Sequence, residues 1–107
     1  MYIIERVNNM SKKILINSSY GGFMPAGPLL EYIKSLGIDI YVDKIPRDNE
    51  EFIKIVEEYG SNICSDSEYS SIKIVELPDN ITDWEINDYD GCEEVIYVLD
   101  GKIYHKE

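Results

Sequence analysis

Residues 13–36 leave little freedom in how this chain begins to fold. Ile14, Leu15 and Ile16 form an apolar run of strand length, Asn17 to Gly27 supply turn chemistry, and Leu29, Leu30, Ile33 and Leu36 recur at helical spacing. The stretch reads as a buried strand over 13–17, a glycine-rich turn and an amphipathic helix. The helix is expected to start near Gly27-Pro28 and stop at Gly37, because proline suits the first helical position and glycine the residue past the last turn. A strand-to-helix turn directs backbone N–H groups outward and so offers a seat for a ligand.

Beyond Gly37 the alternation Ile-Asp-Ile-Tyr-Val over 38–42 predicts a second strand. With the first strand and the helix it would complete a βαβ unit, a parallel pair joined by a right-handed crossover. Residues 44–47 connect to a second helix, capped by Asp48 and running to about Tyr59. Phe52, Ile55, Val56 and Tyr59 would share one face of it, and Glu50, Lys54, Glu57 and Glu58 the other, with Gly60 as the stop. Residues 61–71 read as a polar loop. Strands are expected over 72–77, ended by Pro78-Asp79-Asn80, then over 84–86 up to the Asp90-Gly91 turn, and over 94–99. The Asp100-Gly101 hairpin signal leads into a last strand over 102–105. The expected fold is α/β to α+β: a single domain with a mixed sheet of five or six strands, two helices and an N-terminal βαβ unit.

The first ten residues stand apart. Met1 to Val7 has an edge-strand pattern, which Asn8-Asn9 interrupts before Met10. Glu5-Arg6-Val7 can be encoded by a purine-rich stretch of the kind that precedes a translation start. The expectation is therefore a native start at Met10, with residues 1–10 a loose extension to a globular domain over 11–107.

Charge narrows the choice of partners. The net charge is −11, but residues 1–47 carry six lysines and arginines against four acids, whereas residues 48–107 carry four against seventeen. The second half would repel a nucleic-acid backbone, so direct nucleic-acid binding is not expected. Those acids make either a solubility surface or a face that docks on a basic groove of another protein. An anionic ligand would sit nearer the first half. No apolar run approaches the roughly 20 residues that cross a bilayer, and the start is too charged for a secretory signal. Two cysteines without CxxC spacing fit a reducing compartment. A cytoplasmic protein without membrane contact is expected. Nine tyrosines and open strand edges point to a homo-oligomer.

Several chemistries fail on inspection. Gly22 and Gly27 have phosphate-loop spacing, yet Pro28 and Leu29 stand where lysine and a hydroxyl residue must be, so no nucleoside-triphosphatase chemistry is expected. Asp88-Tyr89-Asp90-Gly91 resembles a calcium loop, but that alignment puts Ile86 at the first ligand position and Tyr97 at the last. A β-turn is the simpler reading, and no metal is expected. His105 is the only histidine and lies in the C-terminal tail, so neither a zinc cluster nor a Ser–His–Asp triad can be assembled with any specificity. The chain reads as a binding protein without a cofactor, not as an enzyme. The candidate binding residues are Asn17, Ser18, Tyr20, Gly21, Gly22 and Phe23. They combine an amide, hydroxyls, two aromatic plates and glycines that allow close backbone approach. Arg47, one of two arginines, is placed to reach the same loop and pair with a phosphate or carboxylate, or else to bridge to Asp48 or Glu51. Tyr89 and Asp90 of the later turn are the expected neighbours.

In combination these pieces resemble a family of small phage-encoded acidic proteins, usually described as hypothetical. The resemblance is carried by Asn17; Tyr20-Gly21-Gly22-Phe23; Arg47; Glu57-Glu58-Tyr59-Gly60; Lys73-Ile74-Val75-Glu76-Leu77-Pro78-Asp79; and Trp84 to Glu93, in that order, from about Lys13 to Glu93. The chain departs from the family pattern at Ser19, where a cysteine is usual, at Asn49-Glu50 in place of Asp-Pro, at Glu94 in place of a tryptophan, and in its tail. The resemblance implies a counter-defence role in the host cytosol, in one of two forms. One is a sponge that sequesters a nucleotide-derived immune signal, a cyclic nucleotide or ADP-ribose derivative, in the Tyr-Gly-Gly-Phe loop. The other is an acidic inhibitor that occupies the basic nucleic-acid groove of a host defence protein such as a CRISPR effector or nuclease. The first is the leading expectation, because the polar, aromatic and glycine residues concentrate in one loop.

Overall fold

The computed structural model describes residues 12–107; the edge strand expected over 1–7 and the proposed start at Met10 lie outside them. Strand β1 (Lys12–Asn17) carries an unbroken apolar run because it is covered on both faces. Ile14 and Ile16 point to one side and Leu15 to the other, each with no exposed surface. β1 pairs antiparallel with β2 (Ile72–Leu77), Ile14 opposite Val75 and Leu15 opposite Ile74. On the Leu15 side pack helices α1 (Gly27–Ser35), α2 (Glu50–Tyr59) and the short α3 (Ser61–Cys64), through Leu29, Ile33, Phe52, Ile53, Val56 and Cys64. On the Ile14 side lies a second antiparallel sheet, β3 (Asp83–Tyr89), β4 (Cys92–Leu99) and β5 (Lys102–Lys106), which contributes Val95, Trp84, Ile86 and Tyr97. The architecture is α+β in three layers, with helices, a two-stranded sheet and a three-stranded sheet stacked in that order.

The expected βαβ unit and mixed sheet are not formed. Residues 38–42 form no strand, 40–42 being a turn, and β1's partner in its sheet is β2. The cause is local. The Asp39 carboxylate accepts from the Tyr41 N–H, the Asp43 carboxylate accepts from the Asp39 N–H, and the Asp39 carbonyl accepts from the N–H groups of Val42 and Asp43. Side-chain acceptors of this kind compete with a ladder for the backbone. They leave Tyr41 and Val42 among the most exposed apolar residues described, each 78% accessible.

Other boundaries shift for similar reasons. Asn49, not Asp48, caps α2, its side chain accepting from the N–H groups of Glu51 and Phe52 at 2.9 and 3.1 Å. Asp48 is engaged elsewhere, with Lys12. The inner face of α2 is built on Phe52, Ile53 and Val56, with Ile55 half-buried and Tyr59 exposed. In α1, Leu29 and Ile33 are buried but Leu36 lies past the helix and is exposed. The first part of the expected polar loop is α3, whose Ser61 hydroxyl donates to the Ile72 carbonyl. Both hairpins form at the expected turns. Asp90 and Gly91 (φ 53° and 89°), like Asp100 and Gly101 (φ 52° and 75°), take the paired left-handed conformations that suit twisted strands.

The two thiols differ. Burial pushes the Cys64 thiol up from its ordinary value, whereas Cys92 is only half-buried. Iodoacetamide at mildly alkaline pH should therefore label Cys92 in the native protein and reach Cys64 only on unfolding, as peptide mapping would show. In urea denaturation, Asn49→Ala should cost about 1 kcal/mol through the lost cap. Phe52→Ala, at the centre of the helical layer, should cost about 3–5 kcal/mol.

Candidate functional site

The site is assembled around the outer edge of β1. In a two-stranded sheet that edge needs partners of its own, and the connector after α1 supplies them. The Leu15 N–H donates to the Arg47 carbonyl at 2.8 Å, and Arg47 Nη1 donates back to the Leu15 carbonyl at 3.3 Å. The Asn17 N–H donates to Glu93 Oε1 at 2.7 Å. Arg47 also grips Glu93 with both guanidinium nitrogens, Nη1 to Oε1 at 2.7 Å and Nη2 to Oε2 at 3.0 Å, in the bidentate geometry that favours arginine. The Glu93 side chain is 4% accessible and that of Arg47 is 19%. The guanidinium carbon lies 3.8 Å from the centroid of the Phe23 ring. The cation that the sequence places beside the loop is thus already matched by a buried carboxylate, and neither Asp48 nor Glu51 is its partner.

Asn17 is fully buried and holds the loop in shape. Its Oδ1 accepts from the Ser71 N–H at 2.8 Å and the Ser70 hydroxyl at 3.0 Å. Its Nδ2 donates to the Ser19 carbonyl at 2.7 Å and to the Gly91 carbonyl at 2.6 Å. The amide therefore ties the Tyr-Gly-Gly-Phe loop to the 61–71 segment and to the β3–β4 turn. Ser18, exposed, donates to the Ser71 carbonyl. Two glycines make the close approach possible. A Cβ on Gly21 would lie 1.9 Å from the Tyr69 carbonyl oxygen, and one on Gly91 would lie 2.5 Å from the Tyr20 carbonyl oxygen. Gly22 (φ 96°) completes the turn. The sequence correctly made neighbours of this loop and the Tyr89-Asp90-Gly91 turn. Tyr20 and Tyr89 stand out from them, 70% and 71% accessible, and Asp90 is exposed at the tip.

The open space lies on the other side of Arg47. A groove of about 860 Å³ runs between the connector and β3. Phe23, Ile40, Ile45, Pro46, Trp84 and Ile86 give it an apolar lining; among the described residues that line it, the acids are Asp43, Asp48, Glu85, Asp88 and Glu93 and the cations Lys44 and Arg47. With Arg47 held by Glu93 and Asp48 by Lys12 at 2.9 Å, the charge left over is that of Asp43, Glu85 and Asp88 against Lys44. Lys12 Nζ also sits 5.7 Å from the Trp84 ring. Such a lining disfavours an anion and favours a cation carried on an apolar body. On the far face of the second sheet, Glu94 accepts from Asn87 and lies 3.2 Å from His105 Nδ1; these two partners hold its carboxyl below the usual carboxylate range. Among the described residues no group of histidine, cysteine, aspartate and glutamate is arranged for a metal ion, and no helix is long and apolar enough to cross a membrane.

Sequence reasoning missed Glu93, Trp84 and the connector as parts of one site. The signal for Glu93 was present. With the strand begun at Cys92, Glu93 alternates in phase with Val95 and Tyr97, which puts an acid on an inward face and calls for a buried cation. Comparison with family models, with curated proteins and with solved structures found no match to this chain.

Either half of the Arg47–Glu93 pair, once alone, is a buried uncompensated charge. Arg47→Met and Glu93→Gln should each lower unfolding free energy by about 3 kcal/mol, and the double variant by much less than their sum. Strictly additive losses in urea titrations would show that the two residues act independently.

Proposed function

We propose that this chain is a non-catalytic binding protein whose acid-lined groove takes a basic, partly apolar segment of a partner protein. The observation that carries the reading is the groove itself, an apolar floor on Trp84, Phe23, Ile40 and Ile45 ringed by Asp43 and Asp88, whose carboxylates accept from backbone N–H groups but pair with no cation among the described residues, and by Glu85. Tyr41 and Val42, strongly exposed on the connector, extend the apolar contact surface beyond its rim. Exposed aromatics beside a depleted-cation patch are what a protein partner uses as anchors. Together with the resemblance to small acidic phage proteins, this favours the inhibitor form of the counter-defence role, in which the partner is a host protein whose basic groove would otherwise hold nucleic acid. Acting in the host cytosol as a homo-oligomer is compatible with this reading and is not required by it.

A second reading keeps the nucleotide-type ligand. Its support is the pair of exposed tyrosines, Tyr20 and Tyr89, on two turns that meet at Gly91, where a planar ring would find stacking surfaces. The acid-lined groove and the engagement of Arg47 by Glu93 weigh against an anionic ligand at the groove.

Trp84 is the only tryptophan, so its fluorescence reports on the groove directly. A peptide of alternating arginine and valine should change that fluorescence with micromolar affinity. Its binding should weaken steeply between low and physiological salt, and fall about tenfold or more in Asp43→Lys/Glu85→Lys. No salt-sensitive binding, together with thermal stabilisation by a cyclic nucleotide that is lost in Tyr20→Ala, would overturn this reading in favour of the second.

A further inference from the structure

The groove follows an edge and not a face of the second sheet. Its lining includes Trp84 and Ile86, whose side chains pack toward the first sheet, Asp88, which alternates in phase with them, and also Glu85, which alternates to the opposite face. Only the border of β3 presents both sets at once. Among the described residues nothing pairs with that border, since the strand order is β3-β4-β5. The ladder fixes which backbone groups are free. The two-residue Asp90-Gly91 turn makes Tyr89 and Cys92 a hydrogen-bonded pair, so Asn87 and Glu85 bond to β4, while Trp84, Ile86 and Asp88 direct their N–H and C=O groups outward. The Trp84 N–H bears this out, because it takes the carboxylate of its own neighbour Asp83 at 2.9 Å and not a carbonyl of β4.

Resting on the protein-binding reading above, we propose that the partner segment docks as an added strand on the β3 edge, extended, with basic and apolar residues in alternation. Main-chain hydrogen bonds to Ile86 and Asp88 supply register, and the two faces of β3 supply selectivity. On the inner side an added residue beside Trp84 and Ile86 meets those side chains and the apolar connector residues Ile40 and Ile45, so it must be apolar there. On the outer side it meets Asp83 and Glu85, both exposed carboxylates, so it must be basic. The same charges favour a basic segment over a second copy of this chain as the occupant. In an antiparallel β3–β3 pairing centred on Ile86 each acid faces a neutral residue, Glu85 opposite Asn87, Asp88 opposite Trp84 and Asp83 opposite Tyr89, but the two Glu85 carboxylates become diagonal neighbours and the seam gathers six acids with no basic residue of either strand to answer them.

Amide hydrogen exchange by NMR on the full chain, with the arginine–valine peptide as probe, tests this directly. In the free protein the Ile86 and Asp88 amides should exchange rapidly; at saturating peptide both should slow by about tenfold or more, while those of Lys102–Lys106 on the opposite edge stay unchanged. Peptides N-methylated at alternate residues should split into one set that binds normally and one that loses about tenfold or more in affinity, since methylation removes main-chain donors of one register only. Salt-sensitive binding with unchanged Ile86 and Asp88 exchange, or with both methylated sets equal, would overturn strand addition and leave the protein-binding reading standing. Absence of any binding would overturn both. Slow exchange of Ile86 and Asp88 already in the free chain would show that the edge is occupied without a partner and would also overturn the proposal.

Discussion

The bidentate pair between Arg47 and Glu93 joins the parts of this molecule that the backbone ladders do not. It closes the free edge of β1 through Leu15 and Asn17, attaches the second sheet to that edge through β4, and carries the Phe23 ring on the guanidinium. A buried pair of this kind gains little net stability, because withdrawing both charges from water offsets most of their attraction. Its value here is positional. Two residues 46 apart in sequence settle how the connector lies, and the connector is one wall of the groove.

Local signals in the sequence were read well, and pairings at a distance were not. The last four strands, both Asp-Gly hairpins and the start of α1 follow from patterns a few residues long, such as the Pro-Asp stop after Leu77 or the proline beside Gly27. The βαβ unit failed because alternation over 38–42 cannot reveal that Asp39 and Asp43 tie up the backbone of that segment. The partner of β1 was equally hidden. An apolar run such as Ile14-Leu15-Ile16 shows that a strand is covered on both faces, not that its neighbour arrives 55 residues later and antiparallel, with Asn17 opposite Ile72. In the candidate site, the meeting of the Tyr-Gly-Gly-Phe loop with the Tyr89-Asp90-Gly91 turn was legible. The role of Asn17 was not. A polar residue ending a strand looks the same in sequence whether it greets a ligand or, as here, is consumed by six neighbouring donors and acceptors.

The uneven charge of the chain acquires a spatial meaning from the fold. The acids after residue 48 do not form one continuous face. Glu57 pairs with Lys13, Asp48 with Lys12, Glu94 with Asn87 and His105, and Glu93 with Arg47. Along the groove, Glu85 and Asp88 on β3 and Asp43 on the connector opposite are the acids that pair with no cation among the described residues. Local pairing thus turns a general acidity, useful mainly for solubility, into a directional surface with an apolar floor.

The layering has a consequence for the order in which the chain can fold. β1 precedes every other described element, and the residues that cover its two faces and its edges come from α1, from residues 47–56, from β2 and finally from Glu93 and Val95. The central strand therefore has no complete set of contacts until β4 has been made. Contacts this far apart in sequence slow the closure of a core and leave its most apolar strand uncovered in the meantime. The Ile14-Leu15-Ile16 run, fully buried in the folded chain, is then open to capture by chaperones or by other unfolded chains until β4 arrives to complete its cover.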